Sequence, residues 1–230
     1  MRVRISGTHF PVETLGPGRR LGVWFQGCSL ACAGCMSRHT WDTRGGKAQD
    51  LSELLASWTE ALGRGAEGLT VSGGEPLQQP DALAALLAGA ARLRERRAAA
   101  AADQDAGPGT EDLLVYTGYE WDELTSHQVK ALTHADAVVT GRFRVTEPTR
   151  LVWRGSANQR VRPLTPRGVA RYAPHLARES TGNRLQVVVG SDGAAMDVRL
   201  YGVPLRDELA GVERGLRAAG VSLKGSSWRP

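Results

Sequence analysis

The 230-residue chain has three cysteines, Cys28, Cys32 and Cys35, and all of them fall within eight residues. Thiols packed this closely along a chain usually ligate a metal or a cluster. Their number matters as much as their spacing. A 4Fe–4S cube held by three thiolates keeps one iron without a protein ligand, and an open coordination position is where a metal acts on a substrate. Two plainer readings fit the same residues: a structural zinc with His39 as fourth ligand, or three buried thiols with no ligand at all. Spacing alone does not separate the three.

The neighbouring segments do. The cysteines sit in the run Trp24-Phe25-Gln26-Gly27-Cys28-Ser29-Leu30-Ala31-Cys32-Ala33-Gly34-Cys35, and about forty residues on comes Leu69-Thr70-Val71-Ser72-Gly73-Gly74-Glu75-Pro76. The pair, in this order, resembles the cluster loop and the S-adenosylmethionine (SAM) segment of the radical SAM superfamily. Four further stretches narrow the resemblance: Gly16-Pro17-Gly18-Arg19-Arg20, Val115-Tyr116-Thr117-Gly118-Tyr119, Val139-Thr140-Gly141-Arg142-Phe143 and Arg154-Gly155-Ser156-Ala157-Asn158-Gln159-Arg160. Together they are similar to the activating proteins of anaerobic ribonucleotide reductase and other glycyl-radical enzymes, which carry a single 4Fe–4S cluster domain. The resemblance spans roughly residues 16–162.

It implies a cluster on Cys28, Cys32 and Cys35 and SAM as the second cofactor. SAM would be held by Gly73, Gly74, Glu75 and Pro76, with Thr117, Gly118, Tyr119, Thr140 and Gly141 around its nucleoside and Asn158 and Gln159 beside them. Residues that would act on the substrate are not assigned. Glycines at 73 and 74 let a backbone approach a ligand closely, and Glu75 would stand near the SAM ammonium. Arg19 would reach the SAM carboxylate or the cluster region. Each has a plainer counterpart: a Gly-Gly turn with a surface Glu, a packing aromatic at Tyr119, amides that stitch a strand end at Asn158 and Gln159, and a surface arginine at Arg19. Met36 reads as core filling, and His9, His127, His134 and His175 as structural.

The elements that must position these residues alternate. Apolar runs at 21–26, 69–72, 113–117 and 135–140 read as buried strands, and the stretches at 51–62, 80–93 and 124–132 carry helical spacing. Strand–helix alternation is the sequence form of a parallel sheet with covering helices. Ligands in such folds gather at the carboxyl ends of the strands, and the cysteines, the Gly-Gly-Glu-Pro run, Thr117 to Tyr119 and Thr140-Gly141 all come after a strand there. Asp50 to Glu53 reads as a capping box, Gly63 and Gly65 as a helix stop, and Thr165-Pro166 as a helix start. The fold class expected is α/β. The resemblance makes it an incomplete radical SAM α/β barrel with a mostly parallel, curved sheet.

Two stretches fall outside this frame. Residues 94–110 turn alanine-rich and charged before Gly107-Pro108-Gly109, and read as a frayed helix end and inserted loop. Residues 165–230 read as a C-terminal extension. Within it, apolar runs at 185–189 and 196–203 flank the hairpin signal Gly190-Ser191-Asp192-Gly193. Leu205, Leu209, Val212 and Leu216 then share one helix face, closed by Gly220. A hairpin and helix are too small to stand alone, so they should pack on the single domain of residues 1–230, where they could shape its entrance. Residues 225–230 read as frayed.

Composition sets the outer bounds. The formal charge is +5, with 29 Lys and Arg against 24 Asp and Glu, which solubility explains without a nucleic acid. A signal peptide and an uninterrupted apolar run of membrane length are both missing, which predicts a cytoplasmic protein. The residues left over offer no auxiliary cluster, P-loop or Ser-His-Asp set. The resemblance implies, as partners, a large glycyl-radical protein such as an anaerobic ribonucleotide reductase and an electron donor such as flavodoxin or ferredoxin. Two alternatives stay open: a radical SAM enzyme acting on a small molecule or peptide in a biosynthetic pathway, and a non-catalytic cluster- or zinc-binding module.

Overall fold

The structure is a computed structural model that describes residues 1–102, 111–191, 196–205 and 207–221. Seven strands make one sheet: β1 (Arg2–Val12), β2 (Arg20–Phe25), β3 (Lys47–Asp50), β4 (Gly68–Gly73), β5 (Asp112–Tyr116), β6 (Ala137–Thr140) and β7 (Arg160–Pro163). Their order is β3-β1-β2-β4-β5-β6-β7. The four middle strands, β2, β4, β5 and β6, run parallel. They are the four apolar runs of the sequence. Their burial on both faces is what near-continuous apolar strands require. β1, β3 and β7 join through antiparallel ladders at the flanks, so the sheet is mixed, with a parallel centre.

Three helices, α1 (Leu51–Gly63), α2 (Pro80–Ala102) and α3 (Ser126–Ala131), belong to one side. Their apolar faces meet the sheet in the main core, where Leu54, Trp58, Leu83, Leu86 and Leu87 pack with Val23, Phe25, Leu69, Val71, Leu113 and Val115. On the other face, α4 (Pro166–Tyr172) brings Tyr172 against Leu114, Ala137, Val139 and Val161. The start of α4 agrees with the sequence: Thr165 caps it by accepting the Gly168 N–H, and Pro166 is its first residue. Gly65 takes a left-handed φ of 83° just past α1, as a helix stop needs.

Two local expectations change. Asp50 precedes α1 but makes no side-chain cap, because it is the last residue of β3 and pairs with Arg2. α2 continues through residues 94–102. Arg94, on this stretch, is buried and ion-paired with Asp136 below β6, which ties the helix to the sheet where the apolar pattern fades. The loop expected at 103–110 lies outside the described residues.

The Gly16 to Arg20 motif builds the amino end of the sheet. Arg20 is fully buried and reaches Asp112 at 2.7 and 2.9 Å, Thr70 Oγ1 at 2.6 Å and the Pro17 carbonyl at 3.0 Å. The Tyr172 hydroxyl and Arg171 also donate to Asp112. Burial alone would raise the Asp112 carboxyl, but the Arg20 guanidinium and these donors hold it below its ordinary value. Arg19 belongs to this same end: it donates to the Arg64 carbonyl and stands over the Phe10 ring. Arg19 thus lies at the end of β2 opposite the cysteines, away from the cluster region where it was expected, because the motif precedes β2 while the cysteines come after it.

The extension contains β8 (Leu185–Ser191), β9 (Met196–Gly202) and α5 (Glu208–Ala218). The hairpin is a separate two-stranded sheet; its turn, 192–195, and the chain from 222 lie outside the described residues. Tyr201 anchors it, packed with Val12 and Leu15 and within 4.7 Å, centroid to centroid, of both His9 and Trp24. Gln186 donates to the Pro11 carbonyl and accepts the Glu13 N–H.

Candidate active site

Parallel register brings the carboxyl ends of the middle strands level. Phe25 of β2 pairs with Gly73 of β4, Val71 of β4 with Val115 of β5, and Tyr116 of β5 with Val139 of β6. The cysteine loop, the Gly-Gly-Glu-Pro turn, the Thr-Gly-Tyr turn and the Thr-Gly-Arg turn therefore leave one edge side by side. A cavity of about 470 Å³ opens there, and Cys28, Cys32, Cys35, Gly73, Gly74, Glu75, Thr117, Gly118, Gly141 and Gln159 all line it. It extends over the second face of the sheet, along Trp24, Ser72 and Tyr116, to the C-terminal extension. Pro76, Tyr119, Thr140 and Asn158 do not line it.

The cysteine loop is held by backbone at both ends and by three glutamines. Gly27 donates to the Thr40 carbonyl at 2.7 Å and Cys28 to that of Trp41 at 3.1 Å. Gln26 donates to the carbonyls of His39 and Asp42, and Gln79 to those of Arg4 and Gln26. Gln78 accepts the Ser29 N–H at 3.2 Å and donates to Ser29 Oγ and to the Tyr119 hydroxyl. Ala31 and Gly34 take left-handed φ values of 49° and 76°, so the chain curls where the small residues stand.

The three thiols are half-buried and unpaired. Each faces a backbone N–H, from Leu30 at Cys28, Phe143 at Cys32 and Ser37 at Cys35. Burial pushes the Cys28 and Cys32 thiols up, and the N–H donors work the other way, favouring thiolate. Such donors are what cluster-bound sulfurs accept. A lone zinc needs its ligands converging on one point about 2.3 Å from each sulfur. His39 is exposed and does not line the cavity, and no group of three or more His, Cys, Asp or Glu among the described residues could hold a single metal ion. The loop fits a cluster, whose irons are separate, rather than the zinc set with His39.

Glu75 has a structural task beyond any ligand. It is 1% exposed. One oxygen accepts the Leu77 N–H at 3.0 Å and the Thr117 hydroxyl at 2.9 Å, and the other accepts the Gly118 N–H at 2.7 Å. The carboxylate thus clamps the turn after β4 to the turn after β5. Burial lifts its pKa to about 7, against the pull of the Gly118 and Leu77 N–H groups and the Thr117 hydroxyl. The amides at the chain's last motif act likewise. Asn158 donates to the Arg142 carbonyl, and Gln159 donates to that of Gly141 while accepting the Gly155 N–H at 2.7 Å. They stitch the loop after β6 to the start of β7. Thr140 is fully buried with its hydroxyl unpartnered.

Sequence reasoning misses the roles of glutamines 26, 78 and 79; it expects the extension to shape the entrance but does not say which of its residues line the cavity. Only adjacency to the motifs could mark Gln26, Gln78 and Gln79.

Three cysteines with N–H donors, on an open cavity at the carboxyl edge of a parallel sheet, define an α/β enzyme built around a cluster. The family described as the 4Fe–4S single cluster domain matches residues 14–162, and the chain belongs to it. It is a radical SAM enzyme of the activating type, with a 4Fe–4S cluster and SAM as cofactors. The anaerobic ribonucleoside-triphosphate reductase-activating protein of Escherichia coli K12 is 30% identical over 161 residues, 68% of this chain and 96% of that protein. The protein of the same name from Enterobacteria phage T4 is 29% identical over 149 residues, 64% of this chain and 85% of its own. The crystal structure of QueE from Escherichia coli aligns at TM-score 0.40 and 19% identity, over 64% of this chain and 74% of that one, a likeness too slight to argue from. Among the described residues, no helix is long and apolar enough to cross a membrane.

Proposed function

We propose that this protein is a glycyl-radical activase for a large partner, an anaerobic ribonucleotide reductase or a protein of that kind. The observation that carries the reading is the convergence of the three cysteines and four strand-end turns on one cavity, in a chain whose relatives are named as reductase-activating proteins. In this reading Cys28, Cys32 and Cys35 hold the cluster. Gly73 to Pro76, Thr117 to Tyr119, Thr140, Gly141, Asn158 and Gln159 form or brace the SAM site, and the sheet is one side of an incomplete α/β barrel. A cluster on Cys28, Cys32 and Cys35 would supply one electron, received from reduced flavodoxin or ferredoxin, for the reductive cleavage of SAM, and with it the means to take a hydrogen atom from a glycine Cα of the partner.

The protein's own residues supply position and shelter. The Glu75 clamp fixes the distance between two walls of the cavity, and the Gln78 bridge fixes the cysteine loop to the Thr-Gly-Tyr turn. Leu15, Trp24 and Tyr116 give the floor an apolar surface that keeps water from a radical.

The test is anaerobic reconstitution with iron and sulfide, then reduction with SAM and the partner. The expected result is 5′-deoxyadenosine in step with a glycyl signal on the partner by electron paramagnetic resonance, lost on Cys28→Ala, Cys32→Ala or Cys35→Ala. SAM cleavage without any radical on a glycyl-radical protein would overturn the activase reading, and a fully loaded Cys32→Ala cluster would overturn the ligand set.

A further inference from the structure

The C-terminal extension forms a wall of the cluster cavity. Helix α5 is amphipathic, yet none of its described residues is buried. Leu209 on this helix, Leu205 just before it, and Leu200, Tyr201 and Val203 of the hairpin line the same cavity as the three cysteines. An apolar helix face normally buries itself on a core; here Leu209, Ala210 and Glu213 of the helix line the cavity, while Val212 and Leu216 do not. The hairpin part of this wall is fixed from behind. Tyr201 is wedged between His9 and Trp24, Thr14 donates to its carbonyl at 3.0 Å, and Gly202, at φ 135°, lies so close to the Arg184 carbonyl that a Cβ would stand 1.9 Å from it. Arg184, itself buried, donates to the carbonyls of Val203 and Arg154. The family match ends at residue 162, and the Escherichia coli relative is spanned almost whole by 161 residues of alignment. The wall is therefore an addition to the part these relatives share.

A glycine has no side chain, so a site that acts on glycine must recognise its neighbours. Resting on the activase reading above, we infer that this wall reads the residues flanking the target glycine, and that Leu205 and Leu209 select a segment with large apolar side chains there. Apolar contact discriminates through desolvation, because an acidic flank would lose water against leucine and meet the Glu213 carboxylate on the same wall without gaining a partner.

The test uses the reconstituted holoprotein with nine-residue peptides centred on an α-deuterated glycine, flanked either by Leu and Phe or by Asp. Deuterium transfer into 5′-deoxyadenosine is the readout. The wild-type protein is expected to favour the apolar peptide at least tenfold in kcat/KM. Leu209→Lys should lower that preference at least tenfold and raise turnover of the Asp-flanked peptide, at unchanged iron content; Leu205→Lys is the second variant. A wild-type protein indifferent to the flanks, a preference unmoved by both substitutions, or turnover of no peptide overturns the inference. The activase reading falls separately, on the absence of a glycyl signal from the large partner.

Discussion

Gly74→Ala should cost the protein its cluster as well as its grip on SAM. A Cβ at Gly74 would stand 2.3 Å from the Gly27 carbonyl oxygen, 2.8 Å from the Gly27 carbonyl carbon and 3.0 Å from the Thr40 carbonyl oxygen. All three are backbone atoms, and all belong to the entry and exit of the cysteine loop, so none can swing aside as a side chain would. The same contact carries three hydrogen bonds: Gly74 N–H to Phe25 O at 2.8 Å, Glu75 N–H to Gly27 O at 2.8 Å and Gly27 N–H to Thr40 O at 2.7 Å. Overpacking costs about 1–3 kcal/mol, and loss of one or two of these bonds adds about 1 kcal/mol each. The sum, roughly 2–5 kcal/mol, is a large part of an ordinary domain's stability. Gly118→Ala is the control. Its Cβ would meet Leu30 Cδ1 at 2.4 Å, the far end of a flexible side chain that can turn away, so its cost should stay near the low end of overpacking, about 1 kcal/mol. Iron and sulfide per chain after reconstitution, with urea unfolding under argon, give both numbers. A Gly74→Ala protein that loads iron like the wild type and unfolds within about 1 kcal/mol of it, inside the cost of a single lost bond, would refute the backbone-contact reasoning.

Contacts elsewhere set three further outcomes. Asp112 has its folded pKa depressed below the ordinary 3.8, so its contribution to stability is present above that value and is lost as pH falls through the folded pKa. Asp112→Asn should flatten the acid limb of the stability–pH curve, and should cost about 3–5 kcal/mol at neutral pH by leaving Arg20 buried and unpaired; an unchanged acid slope in a urea series would count against the network. Tyr201→Ala removes the stacked anchor of the hairpin at about 3–5 kcal/mol, which should speed limited proteolysis near Gly182 roughly hundredfold or more; cleavage at the wild-type rate would mean the extension is held by other contacts. Gln78→Ala severs the bridge from Ser29 to Tyr119 at about 1 kcal/mol, so the reconstituted cluster should bleach several-fold faster in air, tracked at its visible absorbance; identical bleaching would deny the bridge a role in holding the loop.

The parallel centre of the sheet was legible because β2, β4, β5 and β6 are short apolar runs buried on both faces, each ending at a motif. The flanks were not. β1 alternates Arg2, Val3, Arg4 and Ile5, with only Val3 and Ile5 buried, a half-buried strand signal that the polar start of the chain disguises. β3 and β7 are four residues each, mostly exposed or half-buried, and exist through pairing that local sequence cannot show. Arg20 reads as a surface charge until Asp112, 92 positions away, is brought beside it. The hairpin strands and α5 were legible from their apolar patterning, and an entrance role was expected of them; which of their residues line the cavity was not legible, because an amphipathic helix over a core and one over a pocket have the same pattern.

The motif residues are engaged with each other. Glu75 gives both carboxylate oxygens to the chain; Asn158 and Gln159 give their amides to backbone carbonyls; Gly73 and Gly74 give the space of a missing side chain to Phe25 and Gly27. The cavity must stay open at the carboxyl edge of four strands, and the loops there cannot be secured by a packed core without filling it. Buried hydrogen bonds between neighbouring loops secure them without taking that space, provided each partner is satisfied. Gln159→Ala would remove the bonds that hold Gly141 and Gly155 and is expected to loosen this corner of the cavity. The unpartnered Thr140 hydroxyl stands apart from this pattern, and nothing in the structure explains it.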